Sequence, residues 1–450
     1  MTGLTSLSNI VEMDITRKEA HLSKVFLLDT NKKSLDPIEP GYARKLLGWG
    51  KAAVFKRYPF TLILKEARPD ATPEPLRLKL DPGSKTTGLA LVNDSTGEVV
   101  FAAELTHRGQ AIKSSLDSRR SLRRNRRARK TRYRPARFLN RVKSKPKGWL
   151  PPSLVSRLEN IMTWVRRLYH FAPITALSME LVKFDTQLMQ SPEISGVEYQ
   201  QGELAGYEVR QYLLEKWGRK CAYCGIENVP FEIEHIHPRS SGGSDRVTNL
   251  TLACHKCNQE KGEKTAAQYG HPDIQAKAKL PLRDAAAVNS TRWALFERLK
   301  ATGLELETGS GGLTQFNRIK RELPKTHWLD AACVGKSTPL VLKVDRVKPL
   351  LIAAKGWGNR KMCLTDKYGF PNKHRTKNKS FLGFRSGDII KAEIPTGKHA
   401  GVQVGRVTIR QRPNFKVNGI DVHQKYCQIV QRIDGYAYSQ GLKELAALAA

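Results

Sequence analysis

The chain has 450 residues, more than one ordinary hydrophobic core holds, so we expect about two to four domains. Its 77 Lys and Arg residues against 42 Asp and Glu give a formal net charge of +35, and an excess of this size indicates a polyanionic partner such as nucleic acid. A hydrophobic share of 40% argues against a disordered chain, and the lack of a long apolar run or a signal peptide predicts an intracellular protein with no membrane partner.

The N-terminal segment begins with about 24 polar residues without clear periodicity, which predict a loosely held leader. The stretch "VFLLDTNKKSLDP" predicts a strand over Val25–Leu28 and a polar turn. Residues 41–66 then predict a short basic helix and one strand. The apolar set of that strand is Val54, Phe55, Phe60, Leu62 and Leu64. Prolines in "ARPDATPEP" mark a boundary after it.

The next segment, "LRLKLDPGSKTTGLALVNDSTGEVVFAAEL", predicts a β meander. Apolar residues alternate from Leu76 to Leu80, a Pro-Gly pair turns the chain, and the return strand covers residues 88–92. Asp81 therefore follows an apolar strand. Taken alone, an Asp in this position is also typical of a turn.

An arginine-rich run follows between Lys113 and Lys147, with sixteen Lys or Arg and one acidic residue, Asp117. Arg favours helix, so the run predicts an arginine-covered helix. Like charges four residues apart repel each other, and a bound phosphate backbone would relieve that repulsion. We therefore predict nucleic-acid binding, with a solvated charged face as the alternative. The predicted binding residues are Arg119, Arg120, Arg123, Arg124, Arg126, Arg127, Arg129, Arg132, Arg134 and Arg137.

Four further elements follow, and two of them carry candidate site residues. Helical spacing from Leu154 to Leu168 precedes a strand that ends at Glu180. Residues 285–303 predict a helix, and "KTHWLDAACVGKST" places His327 and Asp330 three residues apart, on one face if helical.

The last 110 residues alternate polar and apolar with Gly and Pro between the runs, which predicts a β-rich module. A basic loop with aromatic residues, 367–385, interrupts this module. Such a loop suits base stacking and phosphate contact, although a merely solvated loop is the alternative.

Four of the seven cysteines form two CxxC pairs, Cys221 with Cys224 and Cys254 with Cys257. Two such pairs in an intracellular chain predict a tetrahedral zinc site. Four thiolates close the coordination shell, so this zinc would be structural and could not activate water. The single cysteines Cys333, Cys363 and Cys427 are interpreted as small buried hydrophobic residues.

The loop between the CxxC pairs carries Glu234, His235 and Asn249, and Asn258 follows the second pair. Carboxylate and amide oxygens suit a Mg²⁺ ion that keeps waters of its own, and a His near neutral pKa can deprotonate one of them. The combination suits hydrolysis of a phosphodiester with one metal ion. The glycine turn in "PRSSGGSD" could approach a phosphate.

The stretch "EHIHPRSSGGSDRVTNLTLACHKCNQEKG" resembles the HNH (ββα-metal) nuclease motif in its zinc-stapled form. The resemblance implies that His235 is the general base, that Glu234 and Asn258 hold Mg²⁺, and that Asn249 orients His235. The carboxylate is Glu where many relatives have Asp, which gives it a longer reach. His237 and His255 are assigned to surface or supporting roles.

The contexts of Asp81, Glu180, His327 and Asp330 resemble the three split motifs of the RuvC branch of RNase H-like nucleases. The resemblance implies two Mg²⁺ ions held by the acids, about 4 Å apart, one activating water and one stabilising the leaving oxygen. His327 would assist proton transfer or bind metal.

The order of these motifs resembles the IscB family of transposon-encoded RNA-guided nucleases. It implies an α/β multidomain fold in which an RNase H-like RuvC core is split by an arginine-rich bridge helix and an inserted HNH domain. A small N-terminal domain and a β-rich C-terminal module complete it. Residues 34–37 read Ser-Leu-Asp-Pro where the family's N-terminal domain carries Pro-Leu-Met-Pro.

The IscB resemblance also implies partners: a structured guide RNA (omega RNA), one protein chain per RNA, and a double-stranded DNA target in the prokaryotic cytoplasm or nucleoid. The HNH site would cut the guide-paired strand and the RuvC site the displaced strand. The expected segments are a leader (1–24), an N-terminal domain (25–72), RuvC parts (73–110, 148–200 and 286–340), a bridge helix (111–147), an HNH insert (201–285) and a C-terminal module that reads a DNA flanking motif (341–450).

Two other interpretations remain open from the sequence. The chain could be a structure-specific or homing-type DNA nuclease that needs no RNA, or a catalytically silent nucleic-acid-binding factor. The presence of both residue sets argues against the silent factor.

Overall fold

A computed structural model describes residues 23–128, 149–181, 205–227, 229–280, 285–357, 363–367, 370–374, 378–410 and 412–441. Nearly all of the expected leader lies outside these residues, as do Arg129, Arg132, Arg134 and Arg137. The described part has a mixed α/β fold with several separate hydrophobic cores. No helix of the described ranges combines the length and apolar character that crossing a membrane requires.

The strands and helices are numbered in chain order. The strands are β1 Val25–Leu28, β2 Ser34–Ile38, β3 Ala52–Lys56, β4 Thr61–Leu64, β5 Leu76–Pro82, β6 Thr86–Val92, β7 Val99–Thr106, β8 Ile174–Glu180, β9 Phe231–His235, β10 Leu250–Cys254, β11 Glu305–Gly309, β12 Leu350–Ala354, β13 Cys363–Thr365, β14 Pro371–His374, β15 Ser380–Phe381, β16 Phe384–Arg385, β17 Ile389–Ile394, β18 Gly401–Thr408, β19 Asn414–Val417, β20 Ile420–His423, β21 Cys427–Gln431 and β22 Tyr436–Gln440. The helices are α1 Pro40–Gly48, α2 Gly109–Ala128, α3 Pro152–Phe171, α4 Ala205–Lys216, α5 His255–Lys261, α6 Asp273–Lys279, α7 Ala285–Lys300, α8 Gly311–Lys320 and α9 His327–Ala332.

A seven-stranded sheet forms the centre of the molecule, in the order β11-β8-β5-β6-β7-β12-β22. The predicted meander is confirmed, because β5, β6 and β7 pair antiparallel in sequence order. Strand β8 lies parallel to β5, and β11 lies parallel to β8. The predicted helices α3 and α7 and the strand ending at Glu180 are confirmed as well.

The two faces of this sheet have different covers, because successive side chains of a strand point to opposite faces. Leu78, Leu80 and Leu89 pack with helix α3 in the largest core. On the other face, Ala90 and Val92 pack with helix α9 in a second core. The polar alternate residues of β5 and β8 therefore share the face that carries α9.

The N-terminal domain is a four-stranded sheet, β2-β1-β4-β3, with helix α1 beside it. The single strand predicted over residues 54–64 is wrong, since β3 and β4 form an antiparallel pair joined by a turn at residues 57–60. Pro59 lies in that turn, where a residue without an N–H donor is tolerated. Val54 and Phe55 consequently lie exposed on β3 and are not part of a core.

The insert between β8 and α7 folds around its own core, which includes residues of α4 and α6, the pair β9-β10, and three of the four CxxC cysteines. Helix α5 packs across this pair. The two strands followed by a helix are the ββα arrangement that the HNH resemblance implies.

The C-terminal β-rich module is confirmed as a five-stranded sheet, β20-β19-β18-β17-β21, with two short strand pairs, β13-β14 and β15-β16. The predicted loop 367–385 contains the strands β14, β15 and β16. Strands β12 and β22, which flank the module, pair with each other at the edge of the central sheet. The module is therefore attached through two strands of that sheet.

Candidate active sites

The first candidate site lies on the α9 face of the central sheet. Asp81 is next to the last residue of β5, and Glu180 is the last residue of β8. Both belong to the polar alternate positions of their strands, and α9 brings Asp330 to the same face. Burial, with the nearby charges of Glu180 and Asp330 adding to it, raises the pKa of Asp81 well above its usual value, so the three acids are close enough to influence one another. Their carboxylate oxygens do not all lie within 4.8 Å of one another.

Two buried arginines that the sequence did not reveal pair with these acids. The Nη2 atom of Arg292 on α7 lies 3.2 Å from Oε1 of Glu180, and both side chains are nearly inaccessible to solvent. Arg318 of α8 lies 2.8 Å from Oδ1 of Asp330. A buried arginine offsets the charge that would otherwise make such an acid cluster costly.

Helix α9 lies directly against strand β6. A Cβ atom at Gly88 would come within 1.8 Å of the carbonyl oxygen of His327, so the backbones approach at a distance that only glycine permits. The backbone N–H of His327 donates to Oε1 of Glu104 on β7 at 3.1 Å. These contacts place His327 and Asp330 relative to Asp81.

A polar row beneath the site holds the loop that follows α9. Lys79, Ser178 and Glu307 occupy neighbouring positions on three adjacent strands. The Lys79 ammonium donates to the carbonyl oxygen of Val334 at 2.9 Å, and the Glu307 carboxylate accepts from the backbone N–H of Ser337 at 3.0 Å. Burial lowers the pKa of Lys79 to about 8.

The second candidate site lies in the insert, where Cys221, Cys224, Cys254 and Cys257 converge. Their sulfur atoms all lie within 4.8 Å of one another, the one such group of ligand side chains within the described ranges. The Sγ atoms of Cys224 and Cys254 are 3.7 Å apart, far longer than a disulfide and close to the edge of about 3.8 Å in a tetrahedron with metal–sulfur bonds of ~2.3 Å. The donor set therefore fits a four-thiolate metal site.

The pKa of the Cys221 thiol is lowered to about 7. Burial opposes its ionisation, but the backbone N–H groups of Cys224, Cys254 and Tyr223 favour the thiolate. A thiolate is the form that binds a metal ion. Of the other cysteines, Cys333 is buried as predicted, whereas Cys363 and Cys427 are only half-buried.

Glu234 on β9 is buried and has both carboxylate oxygens engaged. Its Oε2 accepts from the Tyr223 hydroxyl at 2.6 Å, and its Oε1 lies 2.5 Å from the Lys261 ammonium. The ammonium also donates to the carbonyl oxygen of His235 at 3.0 Å. The Tyr223 ring stacks edge-on against the rings of Tyr269 and His271.

Asn258 of α5 faces the same strand two positions earlier. Its side-chain amide donates to Oε2 of Glu232 at 2.5 Å, and Nδ1 of His255 donates to Oε1 of that carboxylate at 2.9 Å. The structure therefore pairs Asn258 with Glu232, whereas Glu234 pairs with Tyr223 and Lys261. His255 has a defined contact, consistent with a supporting role.

His235 is held by Asp245, a residue outside the set predicted from the sequence. Its Nε2 donates to Oδ1 of Asp245 at 2.7 Å, and Arg239 donates to the same oxygen at 2.8 Å. Asn249 acts on the segment just after His235, since its side chain accepts from the N–H of His237 and donates to the carbonyl oxygen of that residue, both at 3.0 Å. Asn249 therefore orients this segment through the backbone.

The arginine-rich segment is described in part. Helix α2 continues to residue 128, so the predicted helix is present over Arg119, Arg120, Arg123 and Arg124, whose side chains are exposed. Arg126 and Arg127 lie on the same helix. This exposed cationic helix packs beside α3.

Comparison with known families gives two matches. Residues 25–202 match the family described as RRXRR protein, a range that includes Asp81, the arginine-rich segment and Glu180. Residues 221–272 match the HNH endonuclease family, and this range includes all four CxxC cysteines and the second candidate site.

Comparison with individual proteins finds similarity to Cas9. The CRISPR-associated endonuclease Cas9 of Corynebacterium diphtheriae is 41% identical over 56 residues, which are 12% of this chain and 5% of that protein. Solved Cas9 structures from Streptococcus thermophilus, in complex with the AGAA PAM, and from Actinomyces naeslundii share 13% and 14% identity. They cover 58% and 66% of this chain, and the chain covers 32% and 46% of theirs.

The TM-scores of those two structures are 0.22 and 0.15. The family matches are more informative. An RRXRR segment followed by an HNH endonuclease domain, together with the stretch shared with Cas9, fits an IscB-like RuvC/HNH effector related to Cas9.

Proposed function

We propose that the chain is an RNA-guided DNA endonuclease with two metal-dependent sites. One chain of net charge +35 carries both an acid cluster on the central sheet and a separate His-containing site in an HNH domain. This combination is the main support for the proposal. Each site cuts one strand of a DNA duplex. HNH cleaves the strand paired to the guide, and the RuvC site cleaves the displaced strand.

In the RuvC site, Asp81, Glu180 and Asp330 hold divalent metal, with His327 assisting proton transfer. The raised pKa of Asp81 supports this, because acids share charge in this way when they face a common point. The sheet order supports it too, because the antiparallel meander is extended by two parallel strands, and the first of them, β8, ends at Glu180 beside β5. Two Mg²⁺ ions would supply water activation and stabilisation of the leaving oxygen.

In the HNH site, His235 removes a proton from the attacking water. Asp245 holds Nε2 of the imidazole, which leaves Nδ1 for that proton. Glu234 and Asn258 offer the carboxylate and amide oxygens that suit one Mg²⁺. Asn249 keeps the backbone after His235 in place, as positioning groups do for a general base.

The four cysteines bind zinc with a structural role in the insert. The sulfur geometry supports this assignment, since the distances match a tetrahedral site and not a disulfide. Because the four thiolates would fill the coordination shell, the zinc leaves no position for a reacting water.

The positively charged protein binds a structured omega RNA and the duplex of that RNA with DNA, with one protein chain per RNA. Helix α2 acts as the bridge helix, with its arginines on the phosphate backbone. Base pairing then reads the DNA sequence while the protein reads duplex shape and a short flanking motif. We assign that motif to the C-terminal module, whose segment from Lys373 to Arg385 combines basic and aromatic residues.

Strand-resolved cleavage tests the proposal on RNA-loaded protein with end-labelled duplex DNA. Asp81→Ala is expected to cut only the guide-paired strand, and His235→Ala only the displaced strand, because each site is complete by itself. Loss of both cuts in either variant would contradict the assignment of two independent sites.

The rival function is a DNA nuclease that needs no RNA. Treatment of the purified protein with ribonuclease distinguishes the two: bound RNA of defined length and loss of cutting after digestion support guidance. Undiminished cutting by RNA-free protein supports the rival, and a complete absence of cutting supports a binding factor.

A further inference from the structure

The CxxC cluster and the Glu234 carboxylate are joined by one side chain. Tyr223 lies between Cys221 and Cys224 in sequence, so its backbone is part of the loop that presents two of the four sulfurs. Its hydroxyl ends 2.6 Å from Oε2 of Glu234. Any change in the position of this loop therefore moves a donor bound to the carboxylate.

A second link approaches from the other CxxC pair. Helix α5 begins at His255, contains Cys257 and ends at Lys261. The Lys261 ammonium meets the remaining oxygen of Glu234, and both side chains are at least 95% buried. Each half of the cysteine cluster thus contributes one group to the carboxylate.

Burial makes these two contacts specific. Tyr223 and Glu234 are 8% and 6% exposed, so water does not compete freely for the carboxylate oxygens. A carboxylate with one hydrogen bond and one ion pair from separate segments has a fixed orientation. Groups of this kind behind a metal ligand commonly change metal affinity or activity by about 10- to 100-fold when removed.

We propose that Tyr223 is a positioning residue that couples the four-cysteine cluster to Glu234, so that the cluster controls cutting at the HNH site and not at the RuvC site. This inference rests on the proposed function, because it takes Glu234 as a metal ligand. It assigns the cluster a further role besides folding of the insert. Loss of zinc from a folded insert would turn the protein into a nuclease that cuts only the displaced strand.

The test compares Tyr223→Phe with Tyr269→Phe in the full-length RNA-loaded protein. Tyr269 is the matched control for cutting, because its ring centroid lies 5.3 Å from that of Tyr223 but its hydroxyl donates to Glu260 at 2.8 Å and not to Glu234. The Tyr269 hydroxyl also interacts with Cys257, so zinc affinity is compared with the wild type instead. For Tyr223→Phe we expect cutting of the guide-paired strand to slow about 10- to 100-fold. The Mg²⁺ concentration for half-maximal rate should rise, the KM for DNA should not change, and cutting of the displaced strand should stay at the wild-type rate.

A second readout does not depend on cleavage. Coupling between two sites is reciprocal, so Tyr223→Phe should also give up zinc to a chromogenic chelator at a lower chelator concentration than the wild type at equilibrium, with the same zinc content at the start. Equal zinc affinity of Tyr223→Phe and the wild type, together with wild-type cutting by Tyr223→Phe, overturns the inference. A parallel loss of both strand cuts would also overturn it.

The two proposals fail in distinguishable ways. If the wild-type protein cuts no DNA, the proposed function fails, and zinc release still decides whether Tyr223 couples the cluster to Glu234. If the wild type cuts both strands and Tyr223→Phe equals the wild type in every readout, only the coupling fails.

Discussion

His107 shows how one buried side chain sets a limit on the pH range of the central sheet. It follows strand β7, is 7% exposed, and has Nε2 2.8 Å from the hydroxyl of Thr87. Burial, with the positive charge of Arg157 adding to it, lowers the pKa of His107 to about 3. The folded protein therefore keeps this imidazole neutral where an unfolded chain would protonate it.

We predict that His107 makes the fold less stable as pH falls below about 6.5. Between pH 6.5 and 3 the unfolded state binds a proton that the folded state does not, so acid favours unfolding. The free energy of unfolding at pH 5 should be about 2 kcal/mol lower than at pH 7. Thermal melts of wild type and His107→Gln across this range measure it, and a gap between the two that does not change with pH would contradict the prediction.

The site residues show what the sequence could and could not predict at this scale. Asp81, Glu180 and Asp330 could be predicted as candidates because the first two lie at the ends of apolar strands and the third lies on a short helix beside a recognisable pattern. Arg292 and Arg318 could not be predicted, because each lies in a helix of a basic chain and nothing in the sequence distinguishes it from the other arginines. Their pairing with acids more than ten residues away is a property of the packed fold.

At the scale of elements, the contact between β6 and α9 gives a direct test of the proposed RuvC site. Gly88→Ala would place a methyl group within 1.8 Å of the His327 carbonyl oxygen, a backbone atom that cannot swing aside. We expect α9 to shift and displace Asp330. A displacement of about 1 Å can cost about 100-fold in rate, so cutting of the displaced strand should fall by at least that factor.

Gly48→Ala is the matched control for that change, because a Cβ at the end of α1 meets nothing within 4 Å. It should leave both cuts unaltered. The guide-paired strand should still be cut by Gly88→Ala, since the HNH site does not depend on α9. Normal cutting of both strands by Gly88→Ala would contradict the packing of α9 on β6.

The four-cysteine cluster gives a second prediction at the scale of elements. Cys254→Ala removes one sulfur from a core that contains Cys221 and Cys257, and we expect the insert to unfold. RNA binding should be unchanged because helix α2 lies outside the insert. Limited proteolysis of residues 205–280 and an RNA-binding assay measure the two effects, and an intact, nicking insert without zinc would refute the structural role.

Strand and helix periodicity predicted most of the central elements, but not the split of residues 54–64 into β3 and β4. The apolar residues there suggested one strand, and the turn around Pro59 divides them. Periodicity also could not predict that β12 and β22, which flank the C-terminal module, pair with each other. Pairing between residues about 85 positions apart leaves no local pattern in the sequence. The ββα order of the insert followed from its motif alone.

For the whole molecule, the net charge of +35 predicts a strong dependence of RNA binding on salt. Each phosphate contact releases a counterion, so about ten contacts give a log–log slope of about −7 to −9. We expect the affinity for the RNA to fall by about 10³-fold or more between 50 and 200 mM salt. Filter binding over this range measures the slope, and a slope shallower than about −3 would show that charge is not the main source of affinity.

The connection from β8 through α7 to β11 has a consequence for how such proteins can change. Two adjacent parallel strands need a crossover, and in the described part of the chain α7 leads from the end of the insert to β11. The HNH insert therefore sits in a strand-to-helix loop of a unit that is already complete. Exchange of the insert for another folded cargo would leave every hydrogen bond of the central sheet intact, which makes this loop a natural point for domain replacement by recombination or by design.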